Sequence, residues 1–325
     1  MGRSLGGAAG KDLDCFSQLG WIKPPDATFL DGIQQGFAWL NDLESNGKGW
    51  KPSDEKIKIT EPGDNDGDWH EAKKKLHETL HPKDENEALL TPATFTVNRE
   101  EWHHSRGIEF FVDYETMSGL NDDFSLLPKM NGKPMIFMIG CGHEEDGKFE
   151  FYVWTAENES PAEEKRVIEG WLDHMEEVRQ RLAKDCDRPF IYHWTPHEVR
   201  STNEAADRHG MDVWRDLPWY DLYDKLMKAN AAKVRGTTSL SIKPVAKTLY
   251  ADGKIGTVWG DSPVGDGTAA MCAAWHCYLQ AAKKGISTRE IALENGTPLI
   301  EEVEAYNLVD CKAMWEILRF VRVVH

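Results

Sequence analysis

The chain has 325 residues, 40% of them hydrophobic, which is enough to bury the core of one large domain or of a domain with a sizeable appendage. Its formal net charge of −17 argues against a protein that coats nucleic acid nonspecifically, because such binding relies on Lys and Arg to displace counterions from phosphates. An enzyme that grips nucleic acid locally, with metal ions at the phosphate, is compatible with this charge.

Cysteine usage and hydropathy bear on where the protein works. The six cysteines form no CxxC pair and stand in apolar or helical contexts, which indicates reduced thiols and an intracellular, cytoplasmic location. The first ten residues contain too few apolar side chains for a signal peptide. No run of about 18 apolar residues occurs, so we expect no membrane span and no membrane partner.

The N-terminal region differs in composition from the rest of the chain. Apolar spacing predicts helices over residues 13–43, with a break at the Pro24–Pro25 pair. Residues 52–90 are rich in Asp and Glu, which predicts a solvated linker and one exposed helix. We therefore expect a helical and acidic region at 1–99 and a separate domain at 100–325.

From residue 107 onward, apolar runs and turn residues alternate in a regular order. The predicted elements are strands at 108–113, 134–140 and 148–154, a helix at 161–184, a strand at 189–194, a helix at 197–208, a short apolar segment at 217–223 and helices at 222–229, 268–284 and 297–322. The segment Gly140–Gly142 is interpreted as part of a hairpin turn that extends to Gly147, and Ser160 is expected to cap the helix that starts at Pro161. This order predicts an α/β domain with a mixed sheet flanked by helices.

The segment Gly107–Thr116 presents two carboxylates at the end of a predicted buried strand. Side chains alternate along a strand, so Asp113 and Glu115 project from one face, about 7 Å apart along the backbone. Near the other end of the chain, Tyr306 and Asp310 are four residues apart on a predicted helix and share one face. Together these residues favour an acidic site for hard cations over a binding module.

Four segments together resemble a known family: the strand with Asp113 and Glu115, Ile191–Glu198, Ser239–Ala246 and Tyr306–Asp310. The set is similar to the DnaQ-like (DEDD) exonucleases, and within them to the branch associated with RecB-type nucleases. The resemblance covers residues 100–325 and implies a ribonuclease H-like fold. It also implies a metal-dependent nuclease that hydrolyses phosphodiester bonds of DNA or RNA as a 3′ to 5′ exonuclease, with single-stranded ends as substrate and a second nuclease or helicase module as partner.

The resemblance also implies roles for individual residues. Asp113, Glu115 and Asp310 match the acids that hold two divalent ions, Mg²⁺ or Mn²⁺, and Tyr306 matches the tyrosine that helps orient the attacking water. The family's second-motif Asp is absent, and Glu198 is the nearest carboxylate after the fourth strand, so we expect Glu198 to replace it as a catalytic and metal-binding residue. Two ions about 3.5 to 4 Å apart activate the water and stabilise the leaving oxygen in such chemistry.

Positive charge in this acidic chain is concentrated in residues 230–255. Arg235, Lys243 and Lys247 are candidates to track a phosphate backbone, with Lys243 the first choice and a solvated helix face as the alternative. His193 is a candidate for contact with nucleic acid, with a structural histidine as the alternative. Trp259 and Trp275 are candidates for base stacking, with core packing as the alternative.

Other interpretations stay open at this point. Glu198 is also the kind of first-turn acid that a helix dipole favours, and Asp221 is expected to cap the helix at 222–229 rather than to bind metal. The altered second motif supports a catalytically inactive nucleic-acid-binding domain. The acidic composition and residues 1–99 support a scaffolding subunit of a larger nuclease complex.

Overall fold

The computed structural model of the protein describes residues 88–105, 107–117, 134–237, 239–260 and 262–325. The predicted helices at 13–43 lie outside these residues, as does the predicted acidic linker up to residue 87. None of the described helices combines the length and the hydropathy that a membrane span requires.

Seven strands and six α-helices occupy the described residues. The strands are β1 (Leu90–Thr91), β2 (Phe110–Met117), β3 (Met135–Glu145), β4 (Lys148–Thr155), β5 (Ile191–His193), β6 (Trp219–Asp221) and β7 (Lys233–Val234). The helices are α1 (Arg99–Trp102), α2 (Pro161–Leu182), α3 (His197–His209), α4 (Ile242–Ala251), α5 (Gly267–Lys284) and α6 (Leu299–Val324), with 3₁₀ turns at Asp212–Asp216 and Thr288–Glu290 and a π-helix at Leu222–Lys228.

Five strands form one mixed sheet in the order β4-β3-β2-β5-β6. β2, β3 and β4 are antiparallel neighbours, whereas β5 is parallel to β2 and β6 is parallel to β5. β1 and β7 form a separate two-stranded antiparallel sheet. The predicted α/β domain with a mixed sheet and flanking helices is therefore confirmed.

Helices cover both faces of the sheet, and β2 is buried in its middle. Trp171 of α2 lies beside Cys141 on one face, and Asn307 of α6 lies against Gly140 on the other. The nearly continuous apolar sequence of β2 follows from this burial on both faces, because a central strand has no solvent side. Phe111 of β2 stacks on Tyr192 of β5 with ring centroids 5.2 Å apart.

Residues 90–102 pack into the same core as the sheet. Leu90, Phe95 and Trp102 belong to the buried cluster that also contains Phe111 and Ile317. Most of these thirteen residues precede position 100, the predicted boundary. The division of the chain into two regions stays a prediction.

Two local predictions about helix starts are confirmed. The Ser160 hydroxyl accepts a hydrogen bond from the Glu163 amide at 3.3 Å, with Pro161 at the first position of α2. The Asp221 carboxylate accepts one from the Asp224 amide at 2.8 Å and so caps the next helix. That helix, predicted over 222–229, is present at Leu222–Lys228 as a π-helix.

The predicted hairpin turn at Gly140–Gly147 is wrong in its first part. Gly140 and Gly142 lie inside β3, and the turn is formed by Asp146 and Gly147, both with positive φ. The glycines of β3 provide space rather than a bend, since a Cβ on Gly142 would be 1.9 Å from Cζ of Phe149. β2 likewise continues to Met117, so its two acids lie within the strand and not beyond its end.

Candidate active site

β2 carries the first two predicted acids at the centre of the sheet. In its pairing with β3, Asp113 is opposite Gly140 and Glu115 is opposite Met138, and the register shifts directly after Glu115. Glu115 is 5% exposed and Asp113 is partly buried. Two ionisable side chains on a buried strand are costly unless a charge or a hydrogen-bond donor compensates them.

α6 contributes the other predicted pair. Tyr306 and Asp310 are one helical turn apart, and Tyr306 lowers the pKa of the Asp310 carboxyl while the charge of Asp310 raises the pKa of the phenol. Asp310 is 5% exposed, and its Oδ2 also accepts a hydrogen bond from Nε1 of Trp259 at 3.4 Å. The helix therefore places at the site an acid that is held by the indole of Trp259.

Glu198 reaches the same place from the first turn of α3, which starts shortly after β5 ends. The negative charge of Glu198 raises the pKa of Asp113, of Glu115 and of Asp310, so all four acids share one electrostatic environment. His193, the last residue of β5, is buried with its Nδ1 3.2 Å from Oε2 of Glu198. This contact supports the structural role for His193, and its contact with nucleic acid stays a prediction.

The electrostatics of the four acids are unfavourable without a cation. Burial, followed by the charges of neighbouring acids, holds the pKa of Asp113 and of Glu115 well above the ordinary range. Burial also raises the pKa of Asp310 to about 7. Because a buried carboxylate that faces other carboxylates gains from either a proton or a metal ion, this site favours the uptake of positive charge.

Lys243 of α4 places a positive charge near the four acids. Its charge lowers the pKa of Asp113, of Glu115 and of Asp310. Nζ lies 4.6 Å from the ring centre of Tyr306, and it donates a hydrogen bond to the carbonyl oxygen of Gly265 at 2.7 Å. The second aromatic contact of Nζ is with the ring of Trp259 at 5.6 Å, so two rings orient the ammonium group.

The remaining predicted basic residues have other surroundings. Lys247 is exposed one turn further along α4. The guanidinium of Arg235 forms an ion pair with Asp252 at 3.0 Å. Of the three predicted basic residues, Lys243 is therefore the one whose charge shifts the pKa of the acids, and contact of the other two with nucleic acid stays a prediction.

Two residues near the acids escaped the sequence analysis. Asn307 is fully buried and its Nδ2 donates a hydrogen bond to Oδ2 of Asp113 at 2.8 Å. Asp266 caps α5 by accepting from the Ala269 amide at 2.8 Å, and its charge raises the pKa of Glu115. Asn307 carries no sequence pattern that points to Asp113, which is 194 positions away, and Asp266 carries the pattern of an ordinary helix cap.

The donors match the chemistry of a hard divalent cation. Asp113, Glu115, Glu198 and Asp310 offer oxygen ligands that are anionic and shielded from water, which suits Mg²⁺ or Mn²⁺. Within the described ranges, no three Asp, Glu, His or Cys side chains are already arranged as the ligands of one ion. The residues thus fit the ion by type and charge, and the ligand geometry is not preformed.

A comparison with known families connects this geometry to a superfamily. A family model described as RNase H superfamily matches residues 110–321, which is more than half of the chain. The chain belongs to the RNase H superfamily. The matched segment begins at the first residue of β2 and ends inside α6, so it includes all four acids. A search of curated proteins finds no match.

Membership of the RNase H superfamily confirms the predicted ribonuclease H-like domain. Domains of this superfamily are usually nucleases and generally use divalent metals, which agrees with the buried acids of β2, α3 and α6. The DnaQ-like branch and the association with RecB-type nucleases stay predictions.

Proposed function

We propose that the protein is a metal-dependent nuclease that hydrolyses phosphodiester bonds of DNA or RNA as a 3′ to 5′ exonuclease on single-stranded ends. The observation that carries the proposal is the meeting of Asp113, Glu115, Glu198 and Asp310 in one buried, mutually repelling set within an RNase H superfamily chain. The polarity and the preference for single-stranded ends come from the resemblance to DnaQ-like exonucleases.

In this proposal the four acids hold two divalent ions, Mg²⁺ or Mn²⁺. When bound, such ions stabilise the charge that develops on the phosphate and lower the pKa of a coordinated water. His193 supports Glu198, and Asn307 and Trp259 supply hydrogen bonds to Asp113 and Asp310 respectively. The acids act as ligands and do not attack the phosphorus.

Tyr306 and Lys243 supply the non-acidic chemistry. Burial raises the pKa of Tyr306, with the charge of Asp310 as the next cause, so the phenol stays protonated at neutral pH and can orient a water molecule by hydrogen bonding. Lys243 lies over the ring of Tyr306 and presents its ammonium group beside the acids, where a phosphate oxygen of the substrate can pair with it. Lys247 and Arg235 extend the contact along the strand of nucleic acid.

The proposal is tested with end-labelled single-stranded and double-stranded DNA and RNA, incubated with Mg²⁺ or Mn²⁺. We expect stepwise products from the 3′ end with the wild type, and a rate at least about 100-fold lower for Asp113→Asn and for Asp310→Asn, because losing a metal ligand removes several kcal/mol of transition-state stabilisation. Asp212→Asn is the matched control, since the Asp212 side chain is 93% exposed.

The outcomes separate the proposals. Cleavage that survives both site substitutions contradicts the assignment of the acids. Binding of nucleic acid without cleavage under any metal supports the second candidate, a catalytically inactive nucleic-acid-binding domain. The altered second motif, in which Glu198 stands for the family's Asp, is the observation that favours that candidate. If the protein neither binds nor cleaves nucleic acid, the scaffolding subunit becomes the favoured candidate.

A further inference from the structure

We infer that Asn307 is a positioning residue whose amide fixes Asp113 for cation binding, and that Gly140 is required because it makes room for this amide. The inference rests on the proposed function, and it adds a residue pair that neither binds the ion nor contacts the substrate. The contacts that α6 makes with β2 and β3 support the inference.

The Asn307 amide makes two hydrogen bonds to the same residue. Nδ2 lies 2.8 Å from Oδ2 of Asp113 and 3.1 Å from the backbone oxygen of Asp113. Each of the two amide hydrogens can serve one acceptor. Asn307 therefore fixes both the main chain of β2 and the side-chain orientation of its first acid relative to α6.

The other side of the amide is pressed against β3. A Cβ on Gly140 would be 1.6 Å from Oδ1 and 2.8 Å from Cγ of Asn307. Gly140 is the residue opposite Asp113 in the β2–β3 pairing, and its φ is not in the positive range. The backbone at this position accepts any residue, so the glycine is needed for space alone.

The contacts of Asn307 suit a residue that holds a ligand in place. The side chain is fully buried, and Oδ1 lies 3.8 Å from Sγ of Cys311 one turn further along α6. Asp113 is repelled by the charges of its acidic neighbours, which favours rotation away from them in the absence of a partner. A fixed amide opposes this rotation, in the way that outer partners of metal ligands orient them.

The experiment measures the Mn²⁺ dissociation constant of the full chain by electron paramagnetic resonance of free Mn²⁺. We compare the wild type with Asn307→Ala, Asn307→Ser, Gly140→Ala and the double variant Gly140→Ala/Asn307→Ala. Each single variant is expected to bind Mn²⁺ about 10- to 100-fold more weakly, as for other outer partners of metal ligands. The double variant is expected to show no further loss, because both changes act through one amide.

Unfolding in urea without metal separates positioning from a purely structural role. Gly140→Ala introduces a clash with Asn307, and Cε2 of Phe151, 2.9 Å from the added Cβ, must also shift. Truncating Asn307 removes the main obstacle, so the double variant is expected to be less destabilised than the sum of the single variants. The double variant would then regain part of the free energy of unfolding that Gly140→Ala loses, while its Mn²⁺ affinity would stay low.

Asn230→Ala is the matched control. Asn230 is 6% exposed and its Oδ1 accepts from the amides of Thr96 and Val97, both at 2.9 Å, so its loss removes comparable hydrogen bonds without touching an acid. We expect Asn230→Ala to lower stability and to keep wild-type Mn²⁺ affinity. An equal loss of affinity in this control would overturn the inference.

Two results distinguish the inference from the proposed function. Wild-type Mn²⁺ affinity in both the Asn307→Ala and Asn307→Ser variants would overturn the positioning role and leave the nuclease proposal intact. A wild-type protein that binds no Mn²⁺ would overturn the proposed function, and the inference with it.

Discussion

Asp310 shows how a single residue connects stability with the proposed chemistry. Burial raises its pKa from the ordinary 3.8 to about 7, although Lys243, Trp259 and Tyr306 each oppose this shift. The fold therefore favours the protonated acid, and the stability gained from it is fully present below pH 3.8 and is lost as the pH rises through about 7. A metal-free protein at pH 8 bears the full cost of the ionised carboxylate.

We predict that Asp310→Asn stabilises the metal-free protein at pH 8, by about 1 kcal/mol or more, since one unit of pKa shift corresponds to about 1.4 kcal/mol. The gain should shrink towards pH 4, where the wild-type acid is protonated and resembles the amide. Urea unfolding at a series of pH values in the presence of a chelator provides the measurement. A gain that does not depend on pH would contradict the electrostatic cause.

The individual acids were within reach of sequence reasoning, whereas their supporting residues were not. Asp113 and Glu115 stand out because two charges interrupt an apolar run, and Tyr306 and Asp310 stand out because of their helical spacing. Asn307 acquires its role from a contact with a residue 194 positions away and from the absence of a side chain on Gly140. No local pattern encodes such a contact.

Among the secondary-structure elements, α2, α3 and the start of β3 are joined by a buried polar network. Glu164 of α2 is fully buried and accepts hydrogen bonds from Nε of Arg208 at 2.7 Å, from Nε2 of His209 at 2.8 Å and from the Ile136 amide at 2.8 Å. Arg208 also donates to the backbone oxygen of Pro134 at 3.0 Å. This network fixes β3, the strand that carries Gly140, against two helices.

Replacing Glu164 by Ala is predicted to lower the free energy of unfolding by about 3–5 kcal/mol at neutral pH, because the Arg208 charge would stay buried without its partner. Burial alone would raise the pKa of Glu164, but the hydrogen bonds from His209 and Arg208 outweigh it and lower that pKa. The stabilisation is therefore present above pH 4.5, the ordinary value, and is lost as the pH falls below it.

Chemical unfolding at pH 7 and at pH 3 would check this prediction. The matched control is Glu169→Ala on the same helix, since the Glu169 side chain is 45% exposed and pairs with an exposed lysine. We expect a change within about 0.5 kcal/mol for the control. A similar loss in both variants would show that the network adds nothing to the stability of α2.

The elements themselves were predicted with uneven success. The bounds of α2, α3 and α6 agree closely with their apolar periodicity, because each of these helices buries one side against the sheet or a neighbouring helix. The turn after β3 was placed too early, since glycines that make room for Asn307 and Phe149 look like turn residues in the sequence. The π-helix after β6 has no signal in that periodicity.

On the scale of the whole molecule, the charge of −17 limits how nucleic acid can bind. The proposed phosphate contacts are Lys243, Lys247 and Arg235, and each phosphate contact on a single strand contributes about −0.7 to the slope of log K against log salt. We predict a shallow negative slope for the wild type. In Lys243→Met we expect the magnitude of this slope to be smaller by about 0.7. The measurement is fluorescence anisotropy with a labelled single-stranded oligonucleotide, on the Asp113→Asn background.

Lys165→Met is the control for this prediction, because the Lys165 side chain on α2 is 42% exposed and pairs with Glu169. An identical change of slope in Lys165→Met and Lys243→Met would mean that overall charge, and not a local contact, determines binding. The mixed sheet was predictable from the order of elements, whereas the packing of residues 90–102 into its core was not, since it depends on contacts with residues such as Phe111 and Ile317 that are distant in the sequence.

The distance along the chain between the two acid-bearing elements also has a consequence for biosynthesis. β2 leaves the ribosome almost two hundred residues before α6, so a nascent chain carries Asp113 and Glu115 long before Asp310 and Asn307 can join them. Under the proposed function, an unfinished or prematurely terminated polypeptide lacks both the last acid and the amide that orients the first. If the proposed function holds, hydrolysis would therefore begin only after the last helix has docked.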